Sequence, residues 1–174
     1  MIPDLLNFFF TGEKATEYSI ASTSQMIDPY RRAWDSELLS LFNLPSSILT
    51  DIVPTGSVVG ALRGDIAEEA GCGAIKVIAP AEHDTGSAIV AVPAETADYA
   101  YISSGTWSLM GIETLEPRIS PQTAAANVTN EGGACGTVRL LKNIMGLWLV
   151  QECRRSWARR GTEYSYADLA AQAA

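Results

Sequence analysis

Residues 74–92, AIKVIAPAEHDTGSAIVAV, decide how the chain is interpreted. The apolar run at 74–79 predicts a short buried strand, which Pro80 ends. The following residues, 85–92, predict a helix. A strand, a tight loop and a helix in this order are typical of an α/β sheet, in which ligands bind beyond the carboxyl ends of the strands. The loop also holds His83, the only histidine of the chain.

The composition is that of a globular protein with a sizeable core. Of the 174 residues, 47% are apolar and 18% are charged, which excludes a disordered chain. The net charge of −8 argues against nucleic acid or an anionic membrane as the main partner. A nucleotide is still allowed, because backbone amides and helix N-termini bind phosphate locally.

The three cysteines, Cys72, Cys135 and Cys153, are odd in number and form no CxxC pair. This pattern predicts reduced thiols in a cytoplasmic protein, without a metal site. The apolar start contains Pro3 and Asp4 and has no basic segment, so it does not resemble a signal peptide. Apolar runs remain shorter than a membrane span requires.

The polar segment 92–98, VPAETAD, is the predicted hinge between two parts of the chain. After it, residues 99–114 contain two strand-like runs around a Ser-Ser-Gly-Thr turn, which predicts a β-hairpin. A further strand is expected at 137–141. Asn143 is then expected to cap a helix over residues 144–160.

Four stretches together resemble the FGGY family of carbohydrate kinases, and within it the kinases of L-rhamnulose. They are EHDTGSA (82–88), SSGTWSLMG (103–111), NEGG (130–133) and LKNIMGLWLVQ (141–151). The resemblance covers about residues 1–160. It implies an α/β fold of the ribonuclease H-like (actin-like ATPase) class, with residues 1–92 ending the N-terminal, sugar-binding lobe and residues 93–174 beginning the C-terminal, ATP-binding lobe.

The resemblance implies phosphoryl transfer from ATP, with Mg²⁺, to the 1-hydroxyl of L-rhamnulose in L-rhamnose breakdown. The family's first phosphate-binding hairpin and its later adenine-binding segment have no counterpart in this sequence. The chain is therefore expected to be the middle piece of a longer enzyme, inactive by itself. Its exposed surfaces are expected to favour self-association.

The resemblance assigns three neighbouring residues to the sugar. Asp84 corresponds to the catalytic base, which accepts the proton of the attacking hydroxyl; the ordinary alternative is an N-cap of the following helix. His83 and Thr85 correspond to residues that hold the sugar. Their alternatives are a buried histidine with satisfied hydrogen bonds and an unremarkable residue of the first helical turn.

Four further residues are assigned by the same resemblance. Asn143 corresponds to a sugar contact, with helix capping as its alternative. Gly105 and Thr106 correspond to a second phosphate-binding turn, although an ordinary hairpin turn has the same composition. Gln151 corresponds to an ATP contact, and its alternative is a solvated helix residue.

Two other functions remain open at this point. The chain could be a non-catalytic binding module or fragment, since the first phosphate-binding hairpin is missing. It could also belong to a related ketose kinase, such as one acting on L-fuculose, because the HDT tripeptide also occurs there.

Overall fold

The computed structural model describes residues 1–105 and 107–174. The helices are α1 (Ile2–Thr11), α2 (Tyr18–Ser22), α3 (Ser36–Leu41), α4 (Gly64–Glu69), α5 (Asp84–Val90), α6 (Pro121–Ala125), α7 (Trp148–Arg159) and α8 (Tyr166–Ala173). The strands are β1 (Thr16–Glu17), β2 (Ile27–Asp28), β3 (Ala33–Trp34), β4 (Ile52–Val53), β5 (Ser57–Ala61), β6 (Lys76–Ala79), β7 (Ala100–Ser104), β8 (Ser108–Thr114), β9 (Thr129–Gly132) and β10 (Val138–Ile144). A single 3-10 turn covers Ser46–Ile48.

The first part of the chain, residues 1–92, is organised around α2 and three small sheets. β1 pairs with β4 in parallel, whereas β2 pairs with β3 and β5 with β6 in antiparallel fashion. Tyr18, Ala21 and Ile27 form a buried cluster, and Trp34 and Ile52 pack against it. A helix as short as α2 is not stable by itself. Its packing in this cluster holds it against the short strands.

The strand predicted at 74–79 is present as β6, but the prediction that it is buried is wrong. Ala79 is fully buried, whereas Lys76 and Ile78 are exposed. Within the described residues β6 pairs only with β5, so the two strands form a ribbon with one open face. A strand needs cover on both faces to be buried throughout.

The second part, residues 93–174, contains a four-stranded antiparallel sheet in the order β7-β8-β10-β9. The predicted hairpin is confirmed, with Ser104 opposite Ser108 at its closed end. The predicted strand at 137–141 is confirmed as β10, which lies between β8 and β9. This central position buries Val138 and Leu141.

The prediction that Asn143 caps a helix is wrong. Asn143 lies in β10 opposite Leu109, because the ladder between β10 and β8 continues up to the pair Ile144 and Ser108. The hydrogen bonds of this ladder outweigh the local capping preference of asparagine. The chain then turns through Gly146, which has a φ of +58°, and α7 begins only at Trp148.

β9 packs directly on α2 and joins the two parts of the chain. The backbone N–H of Gly132 donates a hydrogen bond of 2.8 Å to the hydroxyl of Ser22. A Cβ atom at Gly132 would lie only 2.8 Å from the ring of Tyr18. The absence of a side chain at position 132 therefore allows this close contact, which brings the four-stranded sheet beside the 81–86 loop.

Two further observations concern membrane-spanning helices and the cysteines. None of the helices in residues 1–105 and 107–174 is both long and apolar enough to cross a membrane. Cys72, Cys135 and Cys153 are free and exposed.

We expect Leu141→Ala to lower the free energy of unfolding by about 2–5 kcal/mol, because the substitution leaves a cavity beneath the sheet. Leu141 is 2% exposed, whereas Leu115 is 81% exposed. Leu115→Ala is therefore the matched control and should change stability little. Urea denaturation followed by circular dichroism measures both, and equal stabilities of the two variants would contradict this description of the core.

Candidate functional site

Asp84 is the first residue of α5, and its side chain is exposed. The N-cap of this helix is His83, which makes no capping hydrogen bond through its side chain. The interpretation of Asp84 as an N-cap is therefore wrong. Its Oδ1 atom accepts a hydrogen bond of 2.6 Å from the backbone N–H of Thr85, and its exposure leaves the carboxylate accessible to a ligand.

His83 is half-buried beside this carboxylate. Its backbone N–H donates to the hydroxyl of Ser19 over 3.1 Å, while its Nδ1 atom is buried without a partner among the described residues. Burial lowers the pKa of the imidazole below its usual value, and the positive charge of Arg139 lowers it further. A neutral imidazole offers one donor and one acceptor, which suits a polyhydroxylated ligand.

Thr85 is buried, with 8% of its surface exposed. Its hydroxyl lies 3.4 Å from Oδ1 of Asp84, a long contact that helps to orient the carboxylate. The structure thus brings His83, Asp84 and Thr85 together at the start of α5. A direct sugar contact by Thr85 stays a prediction.

The loop before α5 is anchored by Glu17, which sequence reasoning did not identify. This carboxylate is 1% exposed and accepts hydrogen bonds from the N–H groups of Ser19, Ile20 and Glu82 at 2.8, 3.1 and 3.1 Å. The hydroxyl of Thr55 donates to it as well. One signal was available: Glu17 is the only charged residue in the stretch 15–27, ATEYSIASTSQMI.

Glu82 occupies an unusual electrostatic environment next to His83. Its side chain accepts a hydrogen bond from the amide of Asn7. Burial, together with the nearby carboxyls of Asp4 and Glu17, raises the pKa of Glu82 to about 7. The side chain therefore gains or loses its proton near neutral pH, directly beside the residues that resemble the sugar site.

The turn between β7 and β8 is tied to the start of α7. The backbone carbonyl of Gly105 accepts a hydrogen bond of 2.9 Å from Leu147, and the N–H of Gly105 donates to the carbonyl of Trp107 over 3.1 Å. This N–H is therefore engaged within the turn and is not free to bind phosphate in this arrangement. Thr106, the other predicted phosphate contact, lies outside the described residues.

Gln151 and Asn143 lie on either side of the Gly146 turn. Gln151 donates its backbone N–H to Leu147 over 3.1 Å, which connects it through Leu147 to Gly105. It also lines a cavity of about 690 Å³ together with Arg154 and Tyr166. The side chain of Asn143 is exposed on β10. Gly105 and Gln151 make no direct contact among these hydrogen bonds, and their roles as ATP contacts stay predictions.

The described part of the chain contains no group of three His, Cys, Asp or Glu side chains that could hold a metal ion. A divalent cation carried by a nucleotide needs only one or two protein carboxylates, because phosphate oxygens and water supply the other ligands. Binding of MgATP therefore does not require such a three-residue group in this part of the chain.

Comparison with known proteins defines the class of the chain. Residues 1–91 match the N-terminal domain of the FGGY family of carbohydrate kinases, and residues 100–174 match the C-terminal domain of that family. The chain therefore belongs to the FGGY family of carbohydrate kinases.

Within this family, the chain is similar to rhamnulokinases. It is 46% identical over 172 residues to the rhamnulokinase of Bacteroides thetaiotaomicron, covering 99% of this chain and 35% of that protein. It is 50% identical over 151 residues to the rhamnulokinase of Pectobacterium carotovorum, covering 87% of this chain and 29% of that protein. The chain thus spans about a third of the length of these relatives.

Solved structures agree on the fold. The xylulose kinase of Rhodospirillum rubrum superposes with a TM-score of 0.73 at 18% identity, covering 90% of this chain and 31% of that chain. The glycerol kinase of Plasmodium falciparum with ADP gives a TM-score of 0.68 at 18% identity, covering 87% of this chain and 31% of that one. The predicted α/β fold of the ribonuclease H-like class is confirmed.

We expect Glu82 to make the protein less stable as the pH rises. Because its pKa increases from 4.5 to about 7 on folding, the folded state binds more protons than the unfolded state between these values. The stabilising contribution is complete below pH 4.5 and is lost as the pH passes 7. Glu82→Gln should remove this slope, which urea denaturation across the pH range measures.

The control for this experiment is Glu69→Gln, since Glu69 is exposed at the end of α4. Its slope should match that of the unsubstituted chain. Comparing each variant with the unsubstituted chain cancels the contributions of the other titrating groups. Identical slopes in all three proteins would contradict the elevated pKa of Glu82.

Proposed function

We propose that this chain is a segment of an ATP-dependent kinase that converts L-rhamnulose to L-rhamnulose 1-phosphate in L-rhamnose breakdown. The observation that carries the proposal is the exposed carboxylate of Asp84, at the start of α5 and beside the half-buried His83. The similarity to rhamnulokinases over 99% of the chain supports the choice of sugar.

Asp84 acts as the general base in this proposal. The oxygen of the sugar 1-hydroxyl attacks the γ-phosphorus of ATP, the bond to the ADP oxygen breaks, and the hydroxyl proton passes to the Asp84 carboxylate. Phosphoryl transfer depends mainly on positioning and on charge stabilisation, with an aspartate accepting the substrate proton. The proton is transferred late, since the hydroxyl becomes strongly acidic only when bonding to phosphorus is advanced.

The sugar is held by His83, Thr85 and Asn143. The neutral imidazole can donate to one hydroxyl and accept from another, and the exposed amide of Asn143 can do the same from the second part of the chain. A site that pairs each hydroxyl can reject a sugar lacking one of them by about 10⁴-fold. A substrate panel with L-rhamnulose and L-fuculose, tested on the kinase that contains this segment, separates the proposed kinase from the alternative one.

The nucleotide is bound by the second part of the chain. Gly105, Thr106 and Gln151 are its proposed contacts, and the hydrogen bond from Leu147 to Gly105, next to the helix that carries Gln151, supports a common site. In this proposal the N–H of Gly105 exchanges its bond to Trp107 for one to a phosphate oxygen. The Mg²⁺ ion arrives with the phosphates of ATP. The hinge at 92–98 divides the sugar-binding part, residues 1–92, from the ATP-binding part, residues 93–174.

The surroundings of the enzyme follow from the same proposal. We place it in the cytoplasm, where ATP is available and where thiols such as the three free cysteines stay reduced.

Isolated from the rest of the kinase, the chain is expected to self-associate through apolar residues of the four-stranded sheet. Ile102 and Met110 are 59% and 48% exposed there, and such surface favours association.

Asp84→Asn is expected to reduce turnover by about 10²–10⁴-fold, the range of general acid–base catalysis, while sugar binding persists. The variant is made in the kinase that contains this segment, and turnover is followed by ADP release with L-rhamnulose. Asp98→Asn serves as the control, because Asp98 is exposed in the predicted hinge. Normal turnover of Asp84→Asn would exclude Asp84 as the base.

Calorimetric titration of the 174-residue chain with MgATP and with L-rhamnulose separates a partial site from a complete one. We expect weak binding of each, because the chain covers only 35% of a full-length relative. Tight binding of both ligands would contradict the proposal that this chain provides only part of the site.

A further inference from the structure

Arg139 is a fully buried cation that the proposed reaction does not use. It lies in the central strand β10 and is 0% exposed. Its Nε atom donates a hydrogen bond of 3.0 Å to the carbonyl of Gly132, and its Nη2 atom forms a 3.0 Å ion pair with Glu131. A buried charge is costly unless it is paired, and these two contacts with β9 hold the guanidinium in one place.

The same guanidinium lies beside the first turn of α5. A Cβ atom built at Gly86 would lie 3.7 Å from both Cζ and Nε of Arg139. Gly86 follows Asp84 by two residues and is itself buried. The positively charged plane thus faces the turn that carries the proposed base, with space for about one methyl group at Gly86 between them, although it belongs to the other part of the chain.

The loop before α5 is therefore held from two sides. On one side Glu17 and Ser19 accept the backbone N–H groups of Glu82 and His83. On the other side lies Arg139, anchored to β9. Hydrogen bonds fix the loop to the first part of the chain, and Arg139 faces it from the sheet that ends in the Gly105 turn.

We propose that Arg139 is a positioning residue, whose buried guanidinium sets the location of Asp84 relative to the ATP-binding part. The effect of Arg139 on catalysis rests on the proposed kinase function. Its effect on the position of α5 does not. Misplacement of a reacting group by about 1 Å can cost 10²-fold in rate, so a rigidly anchored neighbour at this point has a large effect. Arginine suits the role because its planar fork binds Gly132 and Glu131 simultaneously.

The electrostatic effect of Arg139 on His83 provides a direct reporter. Charged groups from four elements influence this imidazole: Arg139 on β10 lowers its pKa, while Glu131 on β9, Asp84 on α5 and Glu17 on β1 raise it. Burial is the largest influence and lowers the pKa. Because the chain has a single histidine, its imidazole resonances are assigned without ambiguity.

The first test is an NMR titration of His83 in the 174-residue chain. In Arg139→Met the pKa of the imidazole should rise, since a nearby cation has been removed, and the amide resonances of Asp84 and Gly86 should move. Arg118→Met is the matched control, because Arg118 is exposed, and it should leave both unchanged. If Arg139→Met also leaves both unchanged, the proposal is overturned.

If Arg139→Met does not fold, the variants Arg139→Lys and Glu131→Gln provide the same test. Lysine keeps the charge but not the fork, so the pKa of His83 should stay close to that of the unsubstituted chain while the Asp84 and Gly86 amides shift. Glu131→Gln removes the anchor and a neighbouring carboxylate, so the pKa of His83 should fall. Unmoved α5 amides in both variants would overturn the positioning role.

The second test measures kinetics in the kinase that contains this segment. Arg139→Met should lower kcat by about 10²-fold with a smaller change in the KM for sugar, and Arg139→Lys should recover part of kcat. An unchanged kcat would overturn the catalytic consequence. If the unsubstituted kinase does not phosphorylate L-rhamnulose, the proposed function fails, whereas the NMR result still decides whether Arg139 positions α5.

Discussion

The buried carboxylate of Glu17 is the interaction on which the geometry of the site depends. Removing an ionised carboxylate from water costs several kcal/mol unless hydrogen bonds replace the lost hydration. Glu17 receives such bonds from α2, from Thr55 and from the N–H of Glu82. These donors come from three separate segments, so satisfying one carboxylate forces those segments to meet beside His83 and Asp84.

A second set of buried charged side chains lies on the opposite side of the loop before α5. Arg139 and Glu131 form an ion pair whose side chains are 0% and 13% exposed, and the guanidinium lies beside Gly86 of α5. The loop between β6 and α5 therefore lies between the buried carboxylate of Glu17 and a buried ion pair. This arrangement explains how Asp84 can be exposed and yet be held firmly, because its backbone is fixed by neighbours that are not themselves exposed.

Local sequence signals predicted the elements whose stability is local. The β7–β8 hairpin and α5 follow from turn residues and apolar periodicity within short windows. The strand β10 was recognised only in part, because its extension through Asn143 depends on pairing with β8, which is a contact across the sheet. Capping preference is a short-range signal, and it failed where a longer ladder was available.

For the candidate site, too, the sequence predicted only residues that are adjacent along the chain. His83, Asp84 and Thr85 are adjacent in sequence, so a motif could place them together, and the structure does so. Glu17 and Arg139 lie 65 residues before Glu82 and 53 residues after Gly86 in the printed sequence. Nothing in a single sequence indicates that such distant residues meet, since their contact is a property of the tertiary packing.

The contact between Gly132 and Tyr18 limits how the first part of one family member can be joined to the second part of another. A strand that meets an aromatic ring without room for even one methyl group requires complementary shapes on both parts of the chain. Hybrids that join the first part of one family member to the second part of another should assemble only when both surfaces of this seam come from compatible parents. Exchange of whole lobes is thereby constrained by a single missing side chain.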